Sequence, residues 1–311
     1  MEYITLKNTD LKVSRFCMGG CPMGGYNWGK VQQQELIEAI HTALDSGVNM
    51  FDTADTYGLG QSERTLAEGL GSHRKEVVIE TKFGVRVENG RTFYDNSPAY
   101  IESALDGSLK RLNTDYIDVY IVHYRDGFTP IGEVAEKLCE LRDKGKIRYF
   151  GLSNLGQADI EELEPYKGLF VCCQDEFSLA CRKNEADLKQ LQAKLNLTPM
   201  TWGSLGQGIL TGKYDRNSVF GNNDRRRLDI YVNFHGEKLE QNLKIVDVLR
   251  EIAANRNKSL AACAIRFILD YLPESIALAG IKRKEQLLSN IEAMGWHLSP
   301  EEITALNEAS K

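Results

Sequence analysis

Two hydrophobic rhythms alternate along the chain. Short apolar runs suited to buried strands lie at residues 16–20, 48–52, 77–82, 116–123, 147–153, 170–174, 198–202 and 275–279. Between and after them, apolar positions recur at helical spacing near 32–46, 62–71, 98–112, 131–144, 158–166, 185–195, 237–255, 259–271 and 300–309. Strands joined by helical crossovers must run parallel, and eight of them can close on themselves and leave no edge. The pattern therefore predicts an α/β fold, a (β/α)8 TIM barrel forming one domain over residues 1–311, with extra helices near the C-terminus. Two alternating runs, 3–6 and 11–13, flank the turn cluster Asn8-Thr9-Asp10 and predict an N-terminal β-hairpin. A doubly wound sheet would carry a Gly-rich turn after its first strand. Here Gly58-Leu59-Gly60-Gln61-Ser62-Glu63 follows the second strand and has Glu63 at the third glycine position.

Composition narrows the function classes. The 38 Lys and Arg against 44 Asp and Glu give a net charge of −6, so no overall basic field exists to hold a nucleic-acid backbone. Residues 1–11 carry charges where a signal peptide needs apolar residues, and no apolar run approaches the ~18 residues of a membrane span. A cytoplasmic protein without membrane or nucleic-acid partners is expected. The 7 cysteines are odd in number and form no CxxC pair, which argues against a disulfide framework or a zinc ribbon, and no metal is expected. The least patterned stretch, 212–236, contains Arg225-Arg226-Arg227 and follows the seventh strand. At that place in a barrel a long loop predicts a lid or ligand clamp.

Barrel chemistry is built at the C-terminal ends of strands and on the loops after them. Asp52 ends the second strand, Tyr57 follows in its loop, Lys82 ends the third strand and His123 ends the fourth. Singly, each has a plain structural reading: a helix cap, a rim aromatic, a snorkelling lysine, a core histidine. Their joint placement on neighbouring strand ends favours chemistry. A lysine beside an aspartate stays charged, and its field favours ionisation of a nearby phenol, making the tyrosine a better proton donor near neutral pH. A histidine within reach can orient a carbonyl oxygen or relay a proton. Such a group can protonate an oxygen while something else attacks the attached carbon.

Four strings, Phe51-Asp52-Thr53-Ala54-Asp55-Thr56-Tyr57-Gly58, Thr81-Lys82, Val122-His123 and Gly151-Leu152-Ser153-Asn154, resemble the signatures of the aldo-keto reductase superfamily. The likeness is to bacterial-type members, is shared with voltage-gated potassium channel β-subunits, and runs the length of the chain. It implies NADPH, rather than NADH, bound across the barrel mouth, and reduction of an aldehyde or ketone, including sugar-like carbonyls, to an alcohol. By this resemblance Tyr57 is the general acid, Asp52 and Lys82 tune it, and His123 positions the carbonyl. Ser153, Asn154 and Gln174 match residues that hold the nicotinamide carboxamide, and Trp202 matches the ring that stacks on nicotinamide. Gly19, Gly20 and Cys21, with Asp52, match the nicotinamide ribose site. Gly203, Ser204, Leu205, Gly206, Gln207 and Lys213 match the pyrophosphate loop. Gly280, Lys282, Arg283, Gln286 and Asn290 match the adenosine-phosphate site, where adjacent cations before a helix start suit a 2′-phosphate. Cys17, Gly203-Ser204 and Ser289 depart from a Gly, a Ser-Pro and a Glu that relatives carry there.

The carbonyl pocket is expected from Met23, Tyr26 and Trp28 after the first strand and from Tyr124 and Arg125 beside Tyr57 and His123, with Arg125 suited to an anionic group. Two other readings stay open. Because channel β-subunits resemble this chain, also at Trp202, it could be a nicotinamide-sensing binding module, although His123 follows the reductase pattern where those subunits carry Asn. Alternatively Lys82 could form a Schiff base, which requires a neutral amine.

Overall fold

Alternation at a period of two decides which side chains meet inside the molecule. The computed structural model describes residues 1–25 and 27–311, so the substrate candidate Tyr26 lies outside the described residues. An antiparallel hairpin, β1 (Tyr3–Thr5) and β2 (Lys12–Ser14), precedes the barrel strands β3 (Phe16–Gly19), β4 (Met50–Asp52) and β5 (Val78–Phe83). A second antiparallel hairpin, β6 (Val85–Glu88) and β7 (Arg91–Tyr94), follows at once. The barrel continues through β8 (Ile117–Val122), β9 (Ile147–Ser153), β10 (Cys172–Glu176), β11 (Thr198–Trp202) and β12 (Ile276–Gly280). These eight parallel strands close in the order β3, β4, β5, β8, β9, β10, β11, β12, and β12 pairs back onto β3. The predicted (β/α)8 barrel is the observed architecture.

Around it lie α1 (Gln33–Asp45), α2 (Gln61–Leu70), α3 (Pro98–Leu112), α4 (Ile131–Asp143), α5 (Gln157–Leu163), α6 (Glu185–Leu195), α7 (Gly236–Arg256), α8 (Leu260–Tyr271), α9 (Lys284–Ile291) and α10 (Pro300–Ala309). Their ends are locally encoded. Ser97 caps α3 ahead of Pro98, and Ser299 with Glu302 forms a reciprocal box at the start of α10. The helical pattern expected to 166 stops at Leu163, and a tighter turn at Glu164–Tyr166 carries Pro165, which lacks the N–H that an α-helix needs.

Two cores follow from the strand alternation. Met50, Val78, Val119, Ile121, Cys172 and Met200 fill the barrel interior, and Leu6, Leu11 and Val13 of the first hairpin join them, closing its lower end. Phe51, Ile79, Phe83, Tyr120, Val122 and Cys173 point outwards against the helices. In β4 the sequence Met-Phe-Asp therefore reads inside, outside, inside, and in β5 the inward series is Val78, Glu80, Lys82. The same parity on β8 and β10 sends His123 and Gln174 to the inner side, above the apolar plug.

The second hairpin was not among the expected elements. Its signal was present: Asn89-Gly90 stands between alternating runs, and both residues have positive φ, 51° and 75°, as a type I′ turn requires. The 212–236 stretch contains short helical turns held by a buried centre. Arg226 donates to Asp224 Oδ1 at 2.9 Å and Oδ2 at 2.5 Å, and its guanidinium lies near the rings of Tyr214, Phe220 and Phe234. From there the segment reaches across to the loop after β3: Arg225 N donates to Asn27 O at 3.1 Å and Gly29 N to Asn223 O at 3.0 Å. The result is a strap spanning the end of β12.

Asp224→Ala leaves the Arg226 charge buried and unpaired, a loss on the order of 3–5 kcal/mol where a buried pair is broken. Faster amide hydrogen exchange is expected across 212–236 and 27–29, with barrel strands unchanged. Uniform acceleration over the whole chain would show that the strap is not a separate unit.

Candidate active site

The four strand-end residues converge. Lys82 is fully buried, and its Nζ donates to Asp52 Oδ1 and, at 2.9 Å, to Thr53 O. The same ammonium lies 3.5 Å from the Tyr57 hydroxyl. The rings of Tyr57 and His123 meet edge to face, with centroids 5.8 Å apart. Backbone geometry fixes the approach of the first loop: Gly20 N donates to Asp52 O at 2.8 Å, and a Cβ on Gly20 would stand 2.4 Å from that oxygen. Only glycine permits this contact.

Electrostatics here are set by burial. Loss of solvent would lower the Lys82 pKa, but the charge of Asp52 outweighs it and holds the amine protonated. That disfavours the Schiff-base reading. For Tyr57 the balance differs from the sequence expectation. Burial raises the phenol above its ordinary value, and the opposing field of Lys82 does not cancel it. Tyr57 is thus a neutral donor at physiological pH, held ready beside a cation that would stabilise its anion. Burial, and then the Lys82 charge, push His123 well below 6.5, so its imidazole is neutral, and Nδ1 has no partner among the described residues.

The expected cofactor residues lie at the ends of β3, β9, β10, β11 and β12 and on the segments that follow β11 and β12. Ser153 Oγ donates to Gln174 O at 2.7 Å, and Asn154, at φ 56°, donates through Nδ2 to His123 O at 2.9 Å. The Ser-Asn pair therefore joins the ends of β8, β9 and β10. Trp202 ends β11 opposite Glu176 and keeps part of its surface exposed. Gly203, Leu205 and Gly206 turn the chain after β11, Ser204 is tied to Thr201 O at 2.8 Å, and Gln207 accepts from Asn233 Nδ2 at 2.5 Å. Gly19 and Gly280 are paired neighbours on β3 and β12. The cations Lys213, Arg283 and Arg226 all lower the pKa of Lys282, behind its partial burial. Arg283 precedes α9, Gln286 caps Lys282 N at 2.9 Å and Asn290 is buried beneath. A phosphate fits such a cluster of cations at a helix start. Cys21 accepts from Trp28 Nε1 at 3.3 Å, which favours a packing role over a reactive one.

The expected substrate residues fare unevenly. Met23 is buried and packs with the outer core. Arg125 is bound to Glu162 by two contacts of 3.1 Å, so its charge is spent on α5 rather than offered to an anion. Trp28 sits in the loop after β3, against the strap, where its carbonyl accepts from Lys282 Nζ. Tyr124 does lie at the site, stacked on His123 at 5.1 Å. Sequence reasoning missed two groups. Tyr94, from the unforeseen hairpin, stacks on Tyr124 at 5.1 Å and extends the aromatic wall from His123 outwards. Glu80 lies fully buried under Asp52, with which it is paired in the β4–β5 register.

A barrel with a Tyr, Lys, Asp and His at one mouth is the arrangement of a carbonyl oxidoreductase. The Aldo/keto reductase family model matches residues 15–311, and the chain belongs to that family. It is 35% identical to the aldo-keto reductase YhdN of Bacillus subtilis over 99% of this chain and 93% of that protein. It is 31% identical to an NADH-specific methylglyoxal reductase of Escherichia coli, over 100% of this chain and 99% of that one. The structure of a glycerol dehydrogenase from Gluconobacter oxydans superposes with a TM-score of 0.88 at 32% identity, covering 99% of this chain and 94% of that chain. No helix among the described residues is long and apolar enough to cross a membrane.

His123 gives a signed pH prediction. Folded, it stays neutral, whereas the unfolded chain binds a proton below about 6.5. Stability therefore falls as pH drops below 6.5, by up to about 1.4 kcal/mol per pH unit for one proton. In urea titrations between pH 5 and 7.5, His123→Gln should flatten this slope. An unchanged slope would mean that the imidazole protonates in place.

Proposed function

We propose that the chain is an NADP(H)-dependent reductase of small aldehydes or ketones, with Tyr57 as general acid. The observation that carries this reading is the Tyr57 hydroxyl set 3.5 Å from an ammonium that Asp52 keeps charged, beside a neutral His123. When bound at the mouth, the nicotinamide supplies a hydride to the carbonyl carbon. Tyr57 then gives its proton to the carbonyl oxygen, and Lys82 stabilises the phenolate that remains. His123, neutral, can donate a hydrogen bond to the same oxygen without competing for that proton. Asp52 holds Lys82 in position and keeps it from acting as a nucleophile.

For cofactor binding, Ser153, Asn154 and Gln174 offer hydroxyl and amide groups to a carboxamide, which needs both donors and acceptors. Lys282 and Arg283, backed by Lys213, favour a 2′-phosphate. One relative is NADH-specific by name, so the choice needs its own test. The same relative is named for methylglyoxal and a structural neighbour for glycerol, which supports small polar carbonyls and alcohols as substrates. The stack of Tyr94, Tyr124 and His123 gives such molecules a flat wall.

Tyr57→Phe should retain NADPH affinity, measured by quenching of tryptophan fluorescence, and lose roughly 10²–10⁴-fold in carbonyl reduction followed at 340 nm. Wild-type turnover in this variant overturns the assignment of the acid. Tight cofactor binding by the wild-type protein, without turnover of any aldehyde, ketone or sugar tried, would favour the nicotinamide-sensing module.

The Lys282→Ala, Arg283→Ala double variant should weaken NADPH by at least about tenfold more than NADH, since charge-assisted bonds to a phosphate are worth about 1.5–3 kcal/mol each. Equal weakening of both would remove the 2′-phosphate assignment.

A further inference from the structure

Below the tetrad lies a polar group that the proposed chemistry does not use. Glu80 is fully buried in the barrel interior, on the same face of β5 as Lys82 and beside Asp52. Its surroundings are Asp52 on β4, Lys82 above it on β5, Cys17 on β3 and Cys172 and Gln174 on β10. Gln174 Nε2 donates to Glu80 Oε1 at 2.6 Å and reaches Asp52 Oδ1, already taken by Lys82, only at 3.3 Å. Burial and the neighbouring Asp52 charge raise Glu80 well above the carboxylate range, so it is a neutral acid. Glu80 and Asp52 are hydrogen-bonded to each other, so the proton of Glu80 lies against Asp52 while its Oε1 accepts from Gln174.

A primary amide has one acceptor end and one donor end, and neighbours decide which faces where. At the inner end of Gln174 both neighbours are oxygen acceptors, so its NH2 must point inwards. Its Oε1 then points away from them. No donor among the described residues reaches that oxygen, and it is not among the sealed, unpartnered atoms of the interior, so it opens to accessible space.

We propose that Glu80 is a positioning residue for the cofactor: its oxygen anchors the NH2 of Gln174, turns Gln174 Oε1 outwards as an acceptor, and so makes the site select a carboxamide N–H. This rests on the reading that Gln174 meets the nicotinamide carboxamide. Asp52 holds the amide only weakly, because its Oδ1 is shared with Lys82 and lies 3.3 Å from Gln174 Nε2, against 2.6 Å for Glu80 Oε1. An acceptor at position 80 is what the arrangement needs, and a negative charge there is not.

The test compares dissociation constants of NADP+ and its 3-acetylpyridine analogue, in which a methyl replaces the amide NH2, measured by tryptophan quenching. Everything else about the two molecules is shared, so a merely structural role for Glu80 would weaken both alike. The wild-type protein should prefer NADP+ by roughly 5–30-fold, the range for one hydrogen bond and the unmet partner it leaves. Glu80→Met removes the acceptor and should bring the preference to within about 2-fold, with Glu80→Leu as a second variant should Met not be accommodated. Glu80→Gln, whose oxygen can accept from Gln174 while its NH2 faces Asp52, should restore most of it. A wild-type preference kept in Glu80→Met and Glu80→Leu, or lost in Glu80→Gln, overturns the role of Glu80. No preference in the wild-type protein overturns instead the Gln174 reading beneath it.

Discussion

The site depends on one buried ion pair. Lys82 and Asp52 are almost wholly removed from water, 0% and 4% exposed, and neither charge could be held there alone. Desolvating an isolated ammonium costs several kcal/mol even after relaxation, and losing one partner of such a pair typically costs about 3–5 kcal/mol. The pair therefore exists only because β4 and β5 are neighbours whose inward positions bring the two side chains together. Its presence then biases the states of the groups around it. Burial, and then an ammonium that cannot leave, suppress protonation of His123; the same ammonium lowers the energy of the Tyr57 anion, although burial still keeps that phenol neutral.

The barrel supplies this arrangement through parity. Each strand offers the interior every second residue, apolar at the lower end and polar at the upper, so Met50 precedes Asp52 and Val78 precedes Glu80 and Lys82. The first hairpin plugs the lower end, which leaves the upper mouth as the opening. Close backbone contact at Gly20 then ties the first loop to the end of β4, and the Asp224–Arg226 pair shapes a strap over the end of β12.

What could be read beforehand follows the same physics. Strand and helix positions were legible because burial imposes a strong period, and the bounds of β9, β11, α3 and α6 are those the pattern gives. The convergence of Asp52, Tyr57, Lys82 and His123 was legible because inward positions at neighbouring strand ends of a barrel meet at one mouth. Misreadings came where a side chain's fate depends on partners far along the chain. Arg125 looked available until α5 brought Glu162 to it, and Met23 looked like a pocket residue until the turn after β3 folded it into the outer core. The Asn89-Gly90 hairpin carried its own signal, a turn pair between alternating runs, but it stands outside the strand–helix alternation that marks a barrel. Glu80 was visible only as an acid two residues before Lys82. Sharing a face with Lys82 on a buried strand is the clue that would have marked it.

Taken together, the charges explain why the mouth can serve a neutral reactant. One cation and one anion cancel in the Lys82–Asp52 pair, while Glu80, Tyr57 and His123 are held uncharged by loss of solvent. On the proposed reading, a carbonyl oxygen entering such a site would meet donors rather than a fixed negative charge. On that reading, negative charge would then develop beside the Tyr57 hydroxyl, toward which Lys82 is already oriented, so little reorganisation would accompany the step. Selectivity among carbonyls must come from outside this centre. With Arg125 committed to Glu162, the exposed part of that outer wall is aromatic, Tyr94 and Tyr124, which favours recognition by shape and stacking over recognition of an anionic group.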